Sequence, residues 1–266
     1  MIPLDTSPRA LAFRAAYDRQ IRQRPGSANG GTIDRIGPLV RKIGFDGDGL
    51  LLYQGGASGG ELDELIASQI EHFGKLDRQV EWKYYTYDEP ADLPDRLAAA
   101  GFVPDEPECL LIGEVAELAG ESPPPEGVTL REVTGRADLE RMRAMEEAVW
   151  GVPHDWLPDA LTRAITDDDP ATVVLAEAGD QVVSGSWIRY YTGTEFASLW
   201  GGSTLPEWRG RGIYRSLVAH RARLAAERGY RYLQVDASPD SRGILARLGL
   251  LPVAVTVPYI WRPRGD

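Results

Sequence analysis

The sequence has very few residues that bind metals or form disulfides. Cys109 is the only cysteine among 266 residues, which excludes an intrachain disulfide and a thiolate metal cluster. The three histidines, His72, His154 and His220, do not show the spacing of a metal-binding motif. We therefore expect no metal ion in this protein.

Long apolar runs and excess basic charge are also absent. No apolar run approaches the roughly 20 residues of a membrane span, and the start, MIPLDTSPRA, lacks a basic region followed by an apolar run. We expect a cytoplasmic protein without a membrane partner. Lys and Arg number 29 against 40 Asp and Glu, a formal charge of −11. This balance disfavours nucleic acid and suits a cationic partner.

The chain is long enough, and at 43% hydrophobic residues apolar enough, for one large domain or two ordinary ones. The clearest break is AGESPPPEG at residues 119–127, where three prolines disfavour both helix and strand. The sequence therefore predicts a domain over 1–118, a Pro-rich linker over 119–127 and a second domain over 128–266.

Both halves show alternating helix and strand patterns, which predict a mixed α/β fold. The first half is expected to hold a helix from Ser7-Pro8 to a stop at Pro25-Gly26, then strands at 37–44 and 49–54, a helix at 62–73, a strand at 80–88, a helix at 92–101 and a strand at 108–115. The second half is expected to hold a strand at 128–133, helices at 139–149 and 156–166, a hairpin at 171–191, a strand at 196–204, a helix ending at Gly229, a strand at 230–237, a helix at 240–248 and a strand at 253–261.

A weak internal repeat connects the halves. A shift of 148 residues superposes LAAAGFVP at 97–104 on LARLGLLP at 245–252, with seven identities over the 21 positions 84–104. Two amphipathic helices could share a Leu-Ala pair by chance. The aligned strand, helix, Gly and Pro favour duplication instead.

The most distinctive stretch is PEWRGRGIYRSLV at 206–218. Its core, which we call the Arg-Gly segment, places three arginines and two glycines in residues 209–215 directly before an expected helix. A helix start leaves about four N–H groups without partners and carries a partial positive charge, so it suits an anion such as pyrophosphate. The segment is neither a Walker loop nor a Gly-x-Gly-x-x-Gly motif. A basic, solvated helix cap is the competing interpretation.

Together with the following LQVDASPDSRGILARLGL, this stretch resembles the GNAT superfamily of N-acetyltransferases, over about residues 128–262. The family pattern Gln/Arg-x-x-Gly-x-Gly/Ala falls on Arg209, Gly212 and Tyr214, and the bulky tyrosine departs from it. Tyr214 would press on the phosphates, shape the pantetheine channel or pack into the core. The resemblance implies acetyl-CoA as co-substrate, bound by Gly202, Ser203, Thr204, Arg209, Gly210, Arg211, Gly212, Ile213, Tyr214 and Arg215.

The strand before the Arg-Gly segment contains Gly201-Gly202, and we expect a bulge there, since glycines inside strands often mark one. The tandem layout is similar to GNAT proteins with a degenerate first copy. The corresponding connection in the first half, YQGGASGGELDELI, keeps glycines, has no arginine and contains several acids. The resemblance thus implies two GNAT-like domains in tandem, the first degenerate and structural; an unrelated first domain is the alternative.

The catalytic residues common in this superfamily are missing. The usual strand glutamate corresponds to Ser198 or Gln234, and the tyrosine that protonates the thiolate corresponds to Leu245. Asp236, at the end of the strand expected at 230–237, is the preferred candidate for the general base. Glu146, Glu147 and His154 are the further candidates.

The loop VWGVPHDWLP at 149–158 is the candidate for acceptor contact, through Glu146, Trp150 and His154. Trp150 and Trp156 either form an aromatic wall or are buried between helices. The resemblance therefore implies an acetyl-CoA-dependent N-acetyltransferase that acts on a small amine, and the net charge favours a cationic one. A non-catalytic acyl-CoA sensor or scaffold is the alternative, and an RNA-binding accessory protein is not expected.

Overall fold

The computed structural model describes residues 3–23, 26, 31–44 and 47–263. The chain forms two compact units, one of Met1–Leu111, Asp236–Ile244 and Leu251–Asp266, the second of Ile112–Val235 and Leu245–Leu250. The contiguous domains predicted from the sequence need correction at the chain's end, because the last strand belongs to the first unit.

Almost every expected element is present. Up to residue 118 the elements are α1 (Pro8–Tyr17), a π-helical turn (Asp18–Arg22), β1 (Thr32–Ile36), β2 (Leu39–Ile43), β3 (Gly49–Tyr53), α2 (Gly59–Leu76), β4 (Val80–Tyr85), α3 (Leu93–Ala99), β5 (Val103–Pro104), β6 (Glu108–Glu114) and α4 (Val115–Leu118). The remaining elements are β7 (Thr129–Val133), α5 (Arg136–Trp150), α6 (Leu157–Ile165), β8 (Ala171–Ala178), β9 (Gln181–Tyr190), β10 (Phe196–Thr204), a 3₁₀ turn (Pro206–Trp208), α7 (Ile213–Glu227), β11 (Tyr232–Ala237), α8 (Pro239–Arg247) and β12 (Leu251–Trp261).

In the first unit β1, β2 and β3 form an antiparallel meander, β3 pairs with β4 in parallel, and β4 pairs antiparallel with β12. Helix α2 closes the core with Leu62, Ile66 and Phe73, which recur at helical spacing and are fully buried. Strand β1 was not predicted from the sequence because its residues, TIDRI, are exposed and lack an apolar alternation. Strand β12 joins this unit because β4 offers it an antiparallel partner from Val80 to Tyr85.

In the second unit β7, β8, β9 and β10 form an antiparallel meander, and β10 pairs with β11 in parallel. Helices α5 and α6 share a buried core with these strands, which includes Leu139, Met142, Leu161 and Leu175. Helix α7 packs against β8, β9 and β10. The unit therefore supports the end of β10 and the start of α7 on a packed framework.

The predicted Pro-rich linker, 119–127, contains neither helix nor strand, as expected. It is nevertheless attached to α7. The Ser216 hydroxyl donates to the Pro123 carbonyl at 2.9 Å, and Arg223 Nη1 donates to the Gly120 carbonyl at 3.2 Å. The segment therefore belongs to the second unit and is not a free tether.

The start of α1 confirms its sequence prediction. Ser7 Oγ accepts from the Ala10 amide at 3.2 Å, and Pro8 occupies the first helical position. The predicted stop falls partly on Pro25, which lies outside the described residues. Among the described residues, no helix is both long and apolar enough to cross a membrane.

Candidate active site

The start of α7 is open to an anion. Gly210 and Gly212 have φ angles of +75° and +89°, a region that glycine enters without the steric cost of a side chain. No side chain caps the helix at Gly212, and a Cβ added at Gly210 would meet nothing within 4 Å. The first N–H groups of α7 therefore lack a side-chain cap.

The charge at this helix start is positive. The first turn of α7 contains no acidic residue. Arg209 Nε donates to the Thr204 carbonyl at 3.0 Å, which ties the loop to the end of β10. The Arg211 guanidinium lies 4.7 Å from the centre of the Trp208 ring. The open N–H groups and the arginines fit the pyrophosphate of a coenzyme A molecule.

Strand β10 contains the predicted bulge. Gly201 pairs with Ser186 and Ser203 with Gly185, so Gly202 is the extra residue. Its φ of +99° is accessible to glycine. The β10–β11 ladder ends at Ser198 and Gln234, while β10 continues to Thr204. Beyond Ser198, β10 therefore has backbone groups that this ladder does not use.

Tyr214 packs against the bulge. A Cβ added at Gly202 would lie 2.5 Å from Tyr214 Cε2, so the ring occupies the space that a side chain there would need. Burial raises the pKa of the phenol. This position agrees with packing, while the two roles towards CoA stay predictions.

Arg221 was not singled out from the sequence. It is 1% exposed, and its Nη1 donates to the carbonyls of Trp187 at 3.1 Å and of Trp200, just before the bulge, at 3.0 Å. No carboxylate lies within ion-pair distance of it among the described residues. Burial lowers its pKa to about 10, so the group keeps its charge at neutral pH. The available signal was its position on the apolar face of α7, four residues after Leu217.

Glu146, near the end of α5, is the second buried charge beside the bulge. It is 5% exposed. Its Oε2 accepts from Trp150 Nε1 at 2.9 Å, and the same indole N–H lies 3.0 Å from Ser203 Oγ in the bulge. Oε1 is buried and has no hydrogen-bond partner among the described residues. Burial raises the pKa of the carboxyl, although Ser203, Trp150 and His154 act to lower it.

Glu147 and His154, two further candidates for the base, make contacts at the loop after α5. Glu147 Oε1 accepts from the His154 amide at 3.1 Å and from Arg143 Nη1 at 2.8 Å. The His154 ring nitrogen Nδ1 lies 2.9 Å from the Val152 carbonyl, and the ring lies 6.2 Å from that of Trp156. These contacts fix the loop after α5.

The tryptophans of this loop are exposed. Trp150 is 58% and Trp156 57% exposed, so the prediction that they are buried between helices is wrong. Trp200, on β10, is also largely exposed and stacks on Trp187 with 6.4 Å between the ring centres. The second unit therefore presents aromatic surface on the loop after α5 and on β10.

Asp236, the predicted catalytic residue, has a strong partner. Its Oδ2 lies 2.6 Å from Lys83 Nζ, and both side chains are mostly buried. Burial is the largest influence on the pKa of Lys83 and acts to lower it, but Asp236, Tyr17, Glu81 and Glu108 together raise that pKa above its ordinary value. Both residues belong to the first unit. The charge of Asp236 is thus compensated within that unit.

The positions where this superfamily usually has its general acid and general base hold Ser198, Gln234 and Leu245. None of these side chains is an ordinary acid or base. Ser198 accepts a hydrogen bond from Trp200 Nε1 at 2.6 Å, Gln234 is buried, and Leu245 is a fully buried core residue. His220 lies 3.4 Å from Glu132. The described part of the chain contains no group of three or more His, Cys, Asp or Glu residues that could hold a metal.

Comparison with known proteins defines the class. Residues 139–250 match the acetyltransferase (GNAT) family, which places a GNAT acetyltransferase domain over most of the second half. A GCN5-related N-acetyltransferase from Kribbella flavida has a similar structure, with a TM-score of 0.69 and 20% identity over 94% of this chain and 96% of that one. The second half of the chain thus matches the GNAT acetyltransferase family over residues 139–250, and the fold is that of GNAT proteins.

Two further structures extend the similarity to the whole fold. A GCN5-related N-acetyltransferase from Sphaerobacter thermophilus has a TM-score of 0.61 and 15% identity over 97% of this chain and 93% of that one. A tandem GNAT protein from the clavulanic acid biosynthesis pathway has a TM-score of 0.61 and 17% identity over 86% and 79%. The predicted tandem GNAT fold is confirmed. No curated protein matches the sequence.

Proposed function

We propose that this protein transfers an acetyl group from acetyl-CoA to the amine of a small acceptor, by direct attack in a ternary complex. The observation that carries the proposal is the open, positively charged start of α7 directly after the bulge in β10. These two features offer an anion site and unused backbone groups within one short segment, 201–213.

The binding residues follow from this arrangement. The Arg-Gly segment would hold the pyrophosphate through the N–H groups at the start of α7 and through its arginines. Gly202, Ser203 and Thr204 would pair with the extended pantetheine arm as one strand pairs with another. Acetyl-CoA supplies the activated thioester. The protein's part is to hold the thioester and the amine in line, because such positioning can supply much of the rate.

The acceptor side would be formed by Glu146, Trp150 and His154. A buried carboxylate next to exposed aromatic rings suits a cationic amine, since ammonium groups interact favourably with both. The formal charge of −11 also attracts a cationic acceptor towards the protein.

The alternative is an acyl-CoA-binding sensor or scaffold without turnover, which the side chains at 198 and 245 favour. Acetylation should be measured over a broad panel of amines, at two ionic strengths, together with CoA binding by calorimetry. We expect acetylated product, with cationic amines preferred and the preference weakened by salt. CoA binding without product from any amine would establish the alternative.

A matched pair of glycine variants tests the CoA site. Gly212→Ala and Gly229→Ala place the same methyl group at positive φ at opposite ends of α7, and neither Cβ would come closer than 3.7 Å to another residue. Both should show the same backbone strain. Only Gly212→Ala should weaken CoA binding, by about 5- to 100-fold if one charge-assisted hydrogen bond is impaired. Equal affinities in the two variants would contradict the proposed site.

The first unit is proposed to have a structural role without its own CoA. Calorimetry should therefore give one CoA per chain. A stoichiometry of two would show that the first unit retains a working site.

A further inference from the structure

The second unit buries a carboxylate that forms no ion pair with any described residue. Glu146 is 5% exposed, and no Lys, Arg or His lies within ion-pair distance of it among the described residues. An uncompensated buried charge costs free energy, so a purely structural role would be served as well by glutamine. This cost points to a use for the charge itself.

The carboxylate is also held in one orientation. Trp150 Nε1 donates a hydrogen bond to Glu146 Oε2 at 2.9 Å. The same N–H lies 3.0 Å from Ser203 Oγ in the bulge. Among the described residues, Oε1 is buried and has no hydrogen-bond partner. One oxygen is therefore anchored beside the strand segment proposed to hold the thioester, and the second carries a lone pair that no other group uses.

We propose that Glu146 is the catalytic residue that takes up the proton released by the ammonium group of the acceptor. This inference rests on the proposed function and names the base for it. It assigns to Glu146 the task predicted for Asp236, whose carboxylate is already paired with Lys83.

The proton balance is complete without another co-reactant. The acceptor enters as R–NH3⁺ and gives one proton to Glu146. The free amine attacks the thioester carbonyl, so the C–N bond forms and the C–S bond breaks. The second amine proton passes to the departing thiolate through water, which yields the amide and the CoA thiol. Glu146 returns its proton to solvent.

The environment shifts the pKa of Glu146 in the direction that a stronger base requires. Burial raises the pKa of Glu146, and the largest opposing contributions come from Ser203 and Trp150. His154 is the titratable group in the loop after α5 that acts on it. The remaining charges at this end of α5 are grouped around Arg143, which bridges Glu147 at 2.8 Å and Asp155 at 3.2 Å. Strand β10 contributes only neutral groups here, Ser203 and Thr204.

Glu146→Gln is the direct test, with Glu140→Gln as the matched control on the same helix. Glu140 is paired with Arg136 and Arg143 and is not part of the site. For Glu146→Gln we expect kcat/KM to fall by about 10²-fold or more at pH 7 and to rise about tenfold per pH unit towards the pKa of the amine. CoA affinity should stay unchanged, and Glu140→Gln should keep the wild-type profile.

The stability of Glu146→Gln against denaturant is an independent test of the same proposal. Because the folded-state pKa of Glu146 is raised, its contribution to stability is present below its ordinary pKa and is lost as pH rises through the raised value. At neutral pH, Glu146→Gln should therefore unfold at the same or a higher denaturant concentration than the wild type. A loss of activity that is constant with pH and accompanied by lower stability would assign Glu146 a structural role and overturn the proposal.

Trp150→Phe provides a second test that leaves the carboxylate in place. The indole N–H lowers the pKa of Glu146, so its removal should shift the acidic limb of kcat/KM to higher pH. Trp156→Phe, which has no bond to Glu146, should leave that limb in place. An acidic limb that does not move in Trp150→Phe would contradict the proposal.

The failure of this inference is distinct from the failure of the proposed function. If wild-type protein acetylates an amine and Glu146→Gln keeps its full rate and pH profile, only the assignment of Glu146 is wrong. If wild-type protein binds CoA and acetylates nothing, both are wrong, and the wild-type assay alone shows it.

Discussion

Helices α2 and α7 begin in closely similar ways. Each follows a strand and a glycine-containing loop with positive φ angles, which are +81° and +101° at Gly55 and Gly56 before α2. Neither helix has a side-chain cap, and a Cβ at Gly55 or Gly56 would meet nothing within 4 Å, as at Gly210. The backbone of an anion site is thus present in both units.

The two helix starts differ in charge. The first turn of α2 contains Glu61, while the first turn of α7 contains no acid and lies between arginines. Strand β3 also pairs with β2 without a register shift, whereas β10 is bulged against β9. Open N–H groups therefore do not distinguish the two helix starts; the charge and the bulge distinguish the second unit, where the CoA site is proposed.

The buried charges beside the bulge differ from two ion pairs of the first unit. In the first unit Arg22 pairs with Asp88 at 2.8 Å and Lys83 with Asp236 at 2.6 Å. In the described part of the second unit, Glu146 and Arg221 are buried beside the bulge without an oppositely charged partner. Paired charges stabilise a fold, while unpaired ones are available to a ligand or a reaction.

The largest effect is expected from reversing the charge at α7. Arg211→Glu combined with Arg215→Glu should weaken CoA binding by about 10²-fold or more, because two attractive charges near the pyrophosphate become repulsive. Calorimetry at low and high salt measures this, and salt should reduce the difference. The control, Glu61→Lys with Glu64→Lys at the start of α2, should leave affinity unchanged. Equal losses in both double variants would remove the distinction between the helix starts.

Asp236→Asn tests the paired carboxylate of the first unit. Loss of the partner leaves Lys83 charged and mostly buried, so unfolding by urea should require about 3 kcal/mol less free energy. In the absence of denaturant, the pH profile of kcat/KM should match that of the wild type. A rate that falls by about 10²-fold and recovers at high pH would instead make Asp236 the base, as predicted from the sequence.

Arg221→Met tests the unpaired cation of the second unit. The variant relieves a buried charge but leaves the Trp187 and Trp200 carbonyls without their donor, and we expect a net loss of about 2 kcal/mol in unfolding free energy. Arg223→Met, two positions further along α7, should change stability by less than about 0.5 kcal/mol. A more stable Arg221→Met protein would show that the guanidinium does not hold the strands at the bulge.

The smallest effect is expected at a helix start that is capped by its own chain. Ser7→Ala removes the acceptor for the Ala10 amide and should cost about 1 kcal/mol of stability. CoA affinity and turnover should not change, because the open N–H groups proposed for CoA are those of α7. A change in CoA affinity would indicate that α1 contributes to the site.

Much of the fold could be predicted from local patterns. The apolar spacing of α2 and α5, the Ser7-Pro8 start and the glycine turn of the β8–β9 hairpin are short-range signals, and the structure has each of these elements. The Gly201-Gly202 pair likewise indicated the bulge. Strand β1 was not predicted from the sequence, because an exposed edge strand needs no alternation of apolar and polar residues.

The chemistry of the candidate site depends on contacts between residues that are far apart in the sequence. The sequence favours Asp236 as the base. In the structure its carboxylate pairs with Lys83, which lies 153 positions away. Glu146 and Glu147 are adjacent and alike in sequence, but Glu146 is buried beside Ser203, while Glu147 pairs with Arg143 near the surface. Burial and counter-charge are set by the packing of distant segments, and no local spacing encodes them.

The sequence by itself determined the arrangement of strand, Arg-Gly segment and helix, because glycine torsions, helix-end N–H groups and arginine charge are local properties. Only the tertiary structure decided which charges are compensated and which strand closes which unit. Strand β12 found its partner in β4, Arg221 was buried against β9 and β10, and Trp150 stayed exposed. The reason is physical: desolvation and strand pairing are set by residues that meet only when the chain is folded.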